Sequence, residues 1–298
     1  MFQVRLLMEM SRGKDKNMKQ ATRNVPRWIL AFIGSLLLFA TLALICIRMT
    51  LFNQNFMIKQ VHKTDYIETI RKDMTESIQD LGRGSNIPPE VLADVVSEKT
   101  VSANVDNYIR SIYQEVPFKI QGENQIKETI LKNVNQYAQQ ENIPIDETTQ
   151  TNLDNLANSA TKNYSDFIEI PYLLSYGKKV MAFQSALTMI LVIVGVAFIL
   201  VFIGLLLMVK MKHQKVRWSS VTFLGAGLML VVLPAMIYFS GVINRLGIMS
   251  EGLYRFVTSY ITAFDLSFVF VGLGLTALAF LLVLISERMR SKKIHNVR

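Results

Sequence analysis

The chain has 298 residues, of which 51% are hydrophobic and 18% charged, and its mean hydropathy is +0.29. That balance excludes one or two ordinary soluble domains, in which about a quarter of the residues are charged. The net charge of +9 points to a nucleic-acid or membrane partner only according to where the basic residues gather.

Residues 1–27 form a basic cytoplasmic segment, with Arg5, Arg12, Lys14, Lys16, Lys19, Arg23 and Arg27 against Glu9 and Asp15. Residues 28–49 follow as the first apolar block, long enough at 1.5 Å per residue to cross a hydrocarbon core of about 30 Å. The basic lead is long, the apolar run exceeds that of a cleaved signal, and no small-x-small site follows, so the block is expected to be a signal anchor. Cys46 is the single cysteine. Bulky Ile45 before it argues against lipoprotein processing, and no disulfide can form within the chain.

Residues 50–178 change pattern. Continuous apolar runs give way to helical periodicity, with 18 acidic against 12 basic side chains. Ile67, Ile70, Met74, Ile78 and Leu81 make one stripe on a helix expected to continue outward from the first span and to stop at Gly82-Arg83-Gly84-Ser85-Asn86. Pro88 and Pro89 are expected to open a short helix reaching Ser97. Further helices carry Val101, Val105, Tyr108, Ile109 and Ile112, then Ile126, Ile130, Val134, Tyr137 and Ala138. The last starts near Asp146 and carries Leu153, Leu156, Ala160, Tyr164 and Phe167. Together they predict a bundle of four or five helices. Asn86-Ile87-Pro88-Pro89-Glu90 is echoed by Asn142-Ile143-Pro144-Ile145-Asp146, which is explained by convergence on a helix start rather than by duplication. Ile170-Pro171-Tyr172, with Lys178 and Lys179, suits an interfacial anchor.

Three more apolar blocks follow: residues 179–209, 219–241 and 265–286. Each must be helical, because an isolated segment in lipid satisfies its backbone only internally. The connection 210–218 carries Lys210, Lys212, Lys215 and Arg217 with no acid. The tail 287–298 carries Arg288, Arg290, Lys292, Lys293 and Arg298 against Glu287. An even number of spans puts these segments and the N-terminus on one side, which the positive-inside rule makes the cytoplasm. Anionic lipid head groups at that inner face, worth about 1 kcal/mol per basic residue, then account for the charge without nucleic acid. The outer loop 242–264 has Met249, Leu253, Phe256, Val257, Tyr260 and Phe264 on one helical face. An amphipathic helix is expected there, seated on the outer leaflet or packed beneath the outside domain. The fold class is therefore all-α: a four-helix transmembrane bundle with a helical extracytoplasmic domain inserted between spans one and two.

Chemistry-bearing patterns are few. His62, His213 and His295 lie on separate segments, and neither His-Glu-x-x-His, a phosphate loop nor a Gly-x-Ser-x-Gly elbow occurs. The sequence nominates no catalytic, cofactor-binding or metal-ligating residue, implies no cofactor and favours a protein that is not an enzyme. Asp265 and Arg48 are the charges nearest the spans, both at outer ends from which they can reach the interface. Thr222 with Ala226, Gly272 with Thr276, Gly195 and Gly204 are small residues suited to close helix packing, and Pro234 suits a kink. Asn163-Tyr164-Ser165 is a glycosylation sequon by pattern alone.

The cytoplasmic N-terminus, the large outside domain after span one and the short outside loop before span four resemble the four-span permease subunits of cell-division and macrolide-exporter ABC systems. That resemblance implies a separate ATPase docked on a helix between spans two and three. Val209 to Trp218 is shorter than that docking helix and lacks its acids, and such permeases have mixed α/β outside domains. The chain also resembles four-span membrane proteins of low-GC Gram-positive bacteria in its low cysteine use, lysine-rich inner loops and Asn/Gln/Ile-rich outside domain. The leading expectation is an envelope sensor, scaffold or assembly factor that meets an envelope protein or a second copy through its outside domain. A permease-like subunit and a membrane-embedded enzyme stand as alternatives.

Overall fold

The computed structural model describes residues 2–169, 173–248 and 250–295, with side chains for 25–169, 177–248 and 250–291. Among these residues no strand occurs. In chain order the α-helices are α1 (Phe2–Thr50), α2 (Gln54–Lys63), α3 (Tyr66–Arg83), α4 (Glu98–Gln114), α5 (Glu123–Gln140), α6 (Glu147–Ile168), α7 (Leu173–Met181), α8 (Gln184–Leu207), α9 (Lys212–Ser240) and α10 (Glu251–His295). Four stretches are long and apolar enough to cross a membrane: Val25–Thr50, Gly177–Leu207, Lys212–Arg245 and Glu251–Ser291. They fit an integral membrane protein. The chain divides into two compact units: Met1–Arg48, Ala186–Val242 and Ala263–Arg298 make the first, Met49–Ser185 and Ile243–Thr262 the second.

The first unit is a bundle joined through small residues. The Ser35 hydroxyl donates to the Thr222 carbonyl at 3.0 Å, and a Cβ added at Gly225 would lie 2.7 Å from the Ser35 oxygen. At Gly227 a Cβ would lie 2.6 Å from Thr276 Oγ1 and 3.0 Å from the Gly272 carbonyl. Such close backbone approach replaces the hydrophobic effect as the source of cohesion where the surroundings are apolar. Thr222, Ala226, Gly272 and Thr276 thus lie in helix contacts, as do Ser35, Gly225 and Gly227, which the sequence reading did not single out. On the α8 side, Phe202 stacks on Phe223 with centroids 5.8 Å apart. Arg48, an exposed residue, donates to Thr188 Oγ1 at 3.3 Å.

One end of this bundle collects its basic segments. Arg27 donates to the Met208 carbonyl at 3.0 Å, and Ser286 donates to the His213 carbonyl at 2.8 Å. The chain's two tryptophans, Trp28 and Trp218, meet edge to face with centroids 5.0 Å apart. The start of span one, the α8–α9 connection and the last part of α10 therefore converge. The connection itself is only Met208–Met211, because α9 begins at Lys212. Lys212, Lys215 and Arg217 lie on its first turns.

The second unit has an apolar core drawn from every helix expected in it. Met74, Ile78, Leu92, Val101, Val105, Ile109, Ile130, Ala157 and Tyr164 are wholly buried. The stripe on α3 is the one read from the sequence. The helix does not run on from span one, however. Asn53 stops it, its side chain accepting the Asn55 N–H at 3.0 Å as an N-cap for α2. A second break at Thr64 and Asp65 precedes α3. Each break returns an amide or hydroxyl to the backbone, the usual reason such residues interrupt helices. Pro88-Pro89 opens only a 3-10 turn, Pro89–Leu92, and the chain is not helical again until α4 begins after Ser97. Asp146 caps α6, accepting the Thr149 N–H at 2.7 Å.

Two further features close this core. Asn104 is fully buried, and its amide is satisfied by the Thr100 and Gln121 carbonyls, the Tyr164 hydroxyl and the Gln121 N–H, at 2.7–3.0 Å. It fixes the turn between α4 and α5. Residues 251–262, the first turns of α10, complete the core from a distant part of the sequence. Phe256 is 4% exposed with its ring 5.5 Å from Tyr66, and Tyr260 meets Phe56 at 5.6 Å. Leu253 and Val257 pack beside them. The apolar stripe expected between spans three and four thus closes on protein, as the opening of a long helix. Phe264 belongs to the first unit, and Met249 lies outside the described residues, as does Ile170-Pro171-Tyr172.

Candidate functional site

The Asn-Ile-Pro echo is where the second unit opens. At the end of α3 the chain leaves its helix through Asn86 at φ 57°, with Asn86 N–H donating to Arg83 O at 3.1 Å and Ile87 N–H to Gly82 O at 2.9 Å. At the end of α5 the same pattern recurs. Asn142 has φ 56°, its N–H donates to Gln139 O at 3.4 Å, and Ile143 N–H donates to Ala138 O at 2.9 Å. Both are Schellman ends, with asparagine in the left-handed position and isoleucine after it. The echo is therefore a helix stop as much as a helix start: in each copy Asn-Ile closes the preceding helix, and the proline keeps it from resuming.

Between these two stops and the first turns of α6 lies a cleft of about 680 Å³. Its floor is aliphatic, with Ile87, Leu153 and Leu156 buried and Leu81 and Val134 half-buried. Its rim carries Asn86, Tyr137, Asn152 and Asn155, whose side chains make no hydrogen bond among the described residues, together with Ser85, Thr149 and Ser159. Ile143 and Ile145 border it at 47% and 37% exposure. With Met49, Val116 and Phe183 they are the exposed large apolar side chains of this unit among the described residues. None of the sixteen lining residues is acidic, basic or histidine. Such a wall can hydrogen-bond and bury apolar surface, and the hydroxyls of Ser85, Thr149 and Ser159 have no carboxylate, imidazole or amine among the lining residues to activate them.

Other polar groups lie apart from the cleft. His62 Nε2 is 2.9 Å from Asp106 Oδ1 on α4, an ion pair when the imidazole is protonated. His213 is met through its backbone, and the side chain of His295 lies outside those described. Among the described residues no three His, Cys, Asp or Glu side chains gather as a metal site. Burial pushes the Tyr113 and Tyr66 hydroxyls well above their ordinary titration range. Tyr113 donates to the Leu51 carbonyl at 3.0 Å, which ties α4 to the turn after α1. Asn163 of the sequon donates to Ser77 Oγ at 2.9 Å beside a wholly buried Tyr164. Cys46 is buried in the first unit.

The Asp265 side chain is 5% exposed, and its Oδ2 has no hydrogen-bond partner among the described residues. The cleft was beyond sequence reasoning, because it joins residues 81–87 to residues 134–159, about 50 positions later in the chain. No family model matches this chain, and no curated protein or solved structure matches it either.

Proposed function

We propose that the chain is a non-enzymatic protein of a bacterial cell membrane, a sensor, scaffold or assembly factor that recognises a partner through the cleft of its second unit. The observation that carries this reading is the uncharged, hydrogen-bond-ready lining with exposed Ile143 and Ile145 at its border. Residues 49–185 and 243–262 share one core, so they must lie on one side if spans two and three both cross. The gathering of Arg27, Lys210 and Arg217 at one end of the first unit supports cytoplasmic basic segments and termini. The second unit is then extracytoplasmic, and the basic end faces anionic lipid.

A photo-crosslinking amino acid at Ile143 in the full chain, in native membranes, tests the reading. A discrete adduct is expected there and not at Lys72, which lies on an exposed face of α3. Recovery of the protein alone, with no adduct at Ile143, would count against it. Consistent recovery with an ATPase would favour the permease-like subunit instead. Impermeant maleimide on intact cells checks orientation: in a Cys46→Ala background, Lys72→Cys should label and Lys292→Cys should not.

A further inference from the structure

The lining of the cleft narrows the chemistry of its occupant. Residues 50–178 carry 18 acids and 12 bases, so a random set of sixteen lining residues would hold several charges, whereas this set holds none. An occupant with a buried charge would leave that charge without a counterpart, a desolvation penalty that nothing in the wall offsets. The occupant is therefore uncharged where it is bound.

Its polar pattern is also constrained. The exposed amides of Asn86, Asn152 and Asn155 each offer a donor and an acceptor, and none is engaged by another side chain or backbone group among the described residues. Side-chain amides that both donate and accept can pair with the N–H and C=O groups of a peptide backbone. The aliphatic floor of Ile87, Leu153 and Leu156 suits branched apolar side chains. A sugar ring would instead call for aromatic faces, and Tyr137 is the sole aromatic in the lining. The volume, about 680 Å³, lies inside the range of about 300–1,000 Å³ for sites that enclose a small ligand.

We infer that the cleft binds a short, uncharged peptide segment with apolar side chains. The inference rests on the reading of the second unit as a partner-binding domain and specifies the partner's chemistry. The test uses the full chain in nanodiscs, with isoleucine methyl NMR at Ile87, Ile143 and Ile145 as the readout. The probes are acetyl-Leu-Ala-Leu-amide, its Lys- and Glu-centred counterparts, and diacetylchitobiose. Saturable shifts at all three isoleucines are expected with the Ala-centred peptide, with binding at least about tenfold weaker for both charged peptides, a difference of about 1.4 kcal/mol. The double variant N152D/N155D should reverse the order, taking the Lys-centred peptide in preference.

Equal binding of charged and neutral peptides, shifts only with diacetylchitobiose, no response to any peptide, or an unchanged order in the double variant would each overturn the inference. The crosslinking experiment separates this failure from a wider one. An adduct at Ile143 without peptide binding leaves the partner-binding reading standing and removes the peptide. Absence of both removes both.

Discussion

Single residues carry two testable asymmetries. Hydrogen bonds from Thr149, first from its side chain and then from its N–H, hold the Asp146 carboxyl below the usual carboxylate range. A carboxyl whose folded value is depressed stabilises the fold above its unfolded value and loses that contribution as pH falls through the folded one. Protection of the amides in the first turn of α6, taken relative to their intrinsic exchange rates, should therefore fall on acidification below the ordinary carboxylate range. In Asp146→Asn, which keeps an N-cap acceptor, that fall should disappear; its persistence would assign the acid response elsewhere. Asp265 presents the opposite case, a buried carboxylate with an unpartnered oxygen. Asp265→Asn removes the charge at nearly constant volume, so the melting temperature in detergent should rise. A fall would mean that the carboxylate is engaged by a group that stabilises it.

At the scale of elements, the contact between α9 and α10 depends on the absence of side chains. A Cβ at Gly272 would lie 2.8 Å from Leu230 Cβ and 2.9 Å from the Gly227 carbonyl, neither of which can swing away. Gly272→Val should destabilise the bundle by about 1–3 kcal/mol, the usual cost of overpacking, read as earlier thermal aggregation of the detergent-solubilised chain. Ala at Gly274, where an added Cβ meets nothing within 4 Å, is the control. Much at this scale was legible in advance. The four spans follow from uninterrupted apolar length, and the α3 to α6 stripes follow from three- and four-residue spacing, because both signals are local. The breaks at Asn53 and Thr64 were missed because a single cap residue inside a periodic stretch leaves the apolar pattern intact. The Asn-Ile-Pro echo was visible, but its meaning was not, since nothing local reveals that two helix stops share one cleft.

At the scale of the whole molecule, the second unit is built from two stretches separated by spans two and three. Phe256 is a core residue of that unit, and replacing a buried phenylalanine by alanine costs about 3–5 kcal/mol. Residues 49–185 produced alone should accordingly unfold at lower denaturant than the same stretch joined by a flexible linker to 243–262. Phe256→Ala in the joined form should remove most of the difference. Equal midpoints for all three would show that the first turns of α10 contribute nothing to the core. Helical spacing predicts an amphipathic face here, but whether it meets lipid or protein depends on tertiary pairing across more than 170 residues.

That pairing also sets an order of events during synthesis. When Ser185 leaves the ribosome, the surface around Tyr66 and Phe56 still lacks Phe256 and Tyr260, its partners in the finished core. About seventy more residues must be made before they arrive, which at about 5–20 residues per second takes on the order of ten seconds. For that interval the nascent domain has an uncovered apolar face, and its maturation waits on insertion of spans two and three. Slowing that insertion would lengthen the exposure and leave the domain open to proteolysis, long before any defect in the spans themselves became visible.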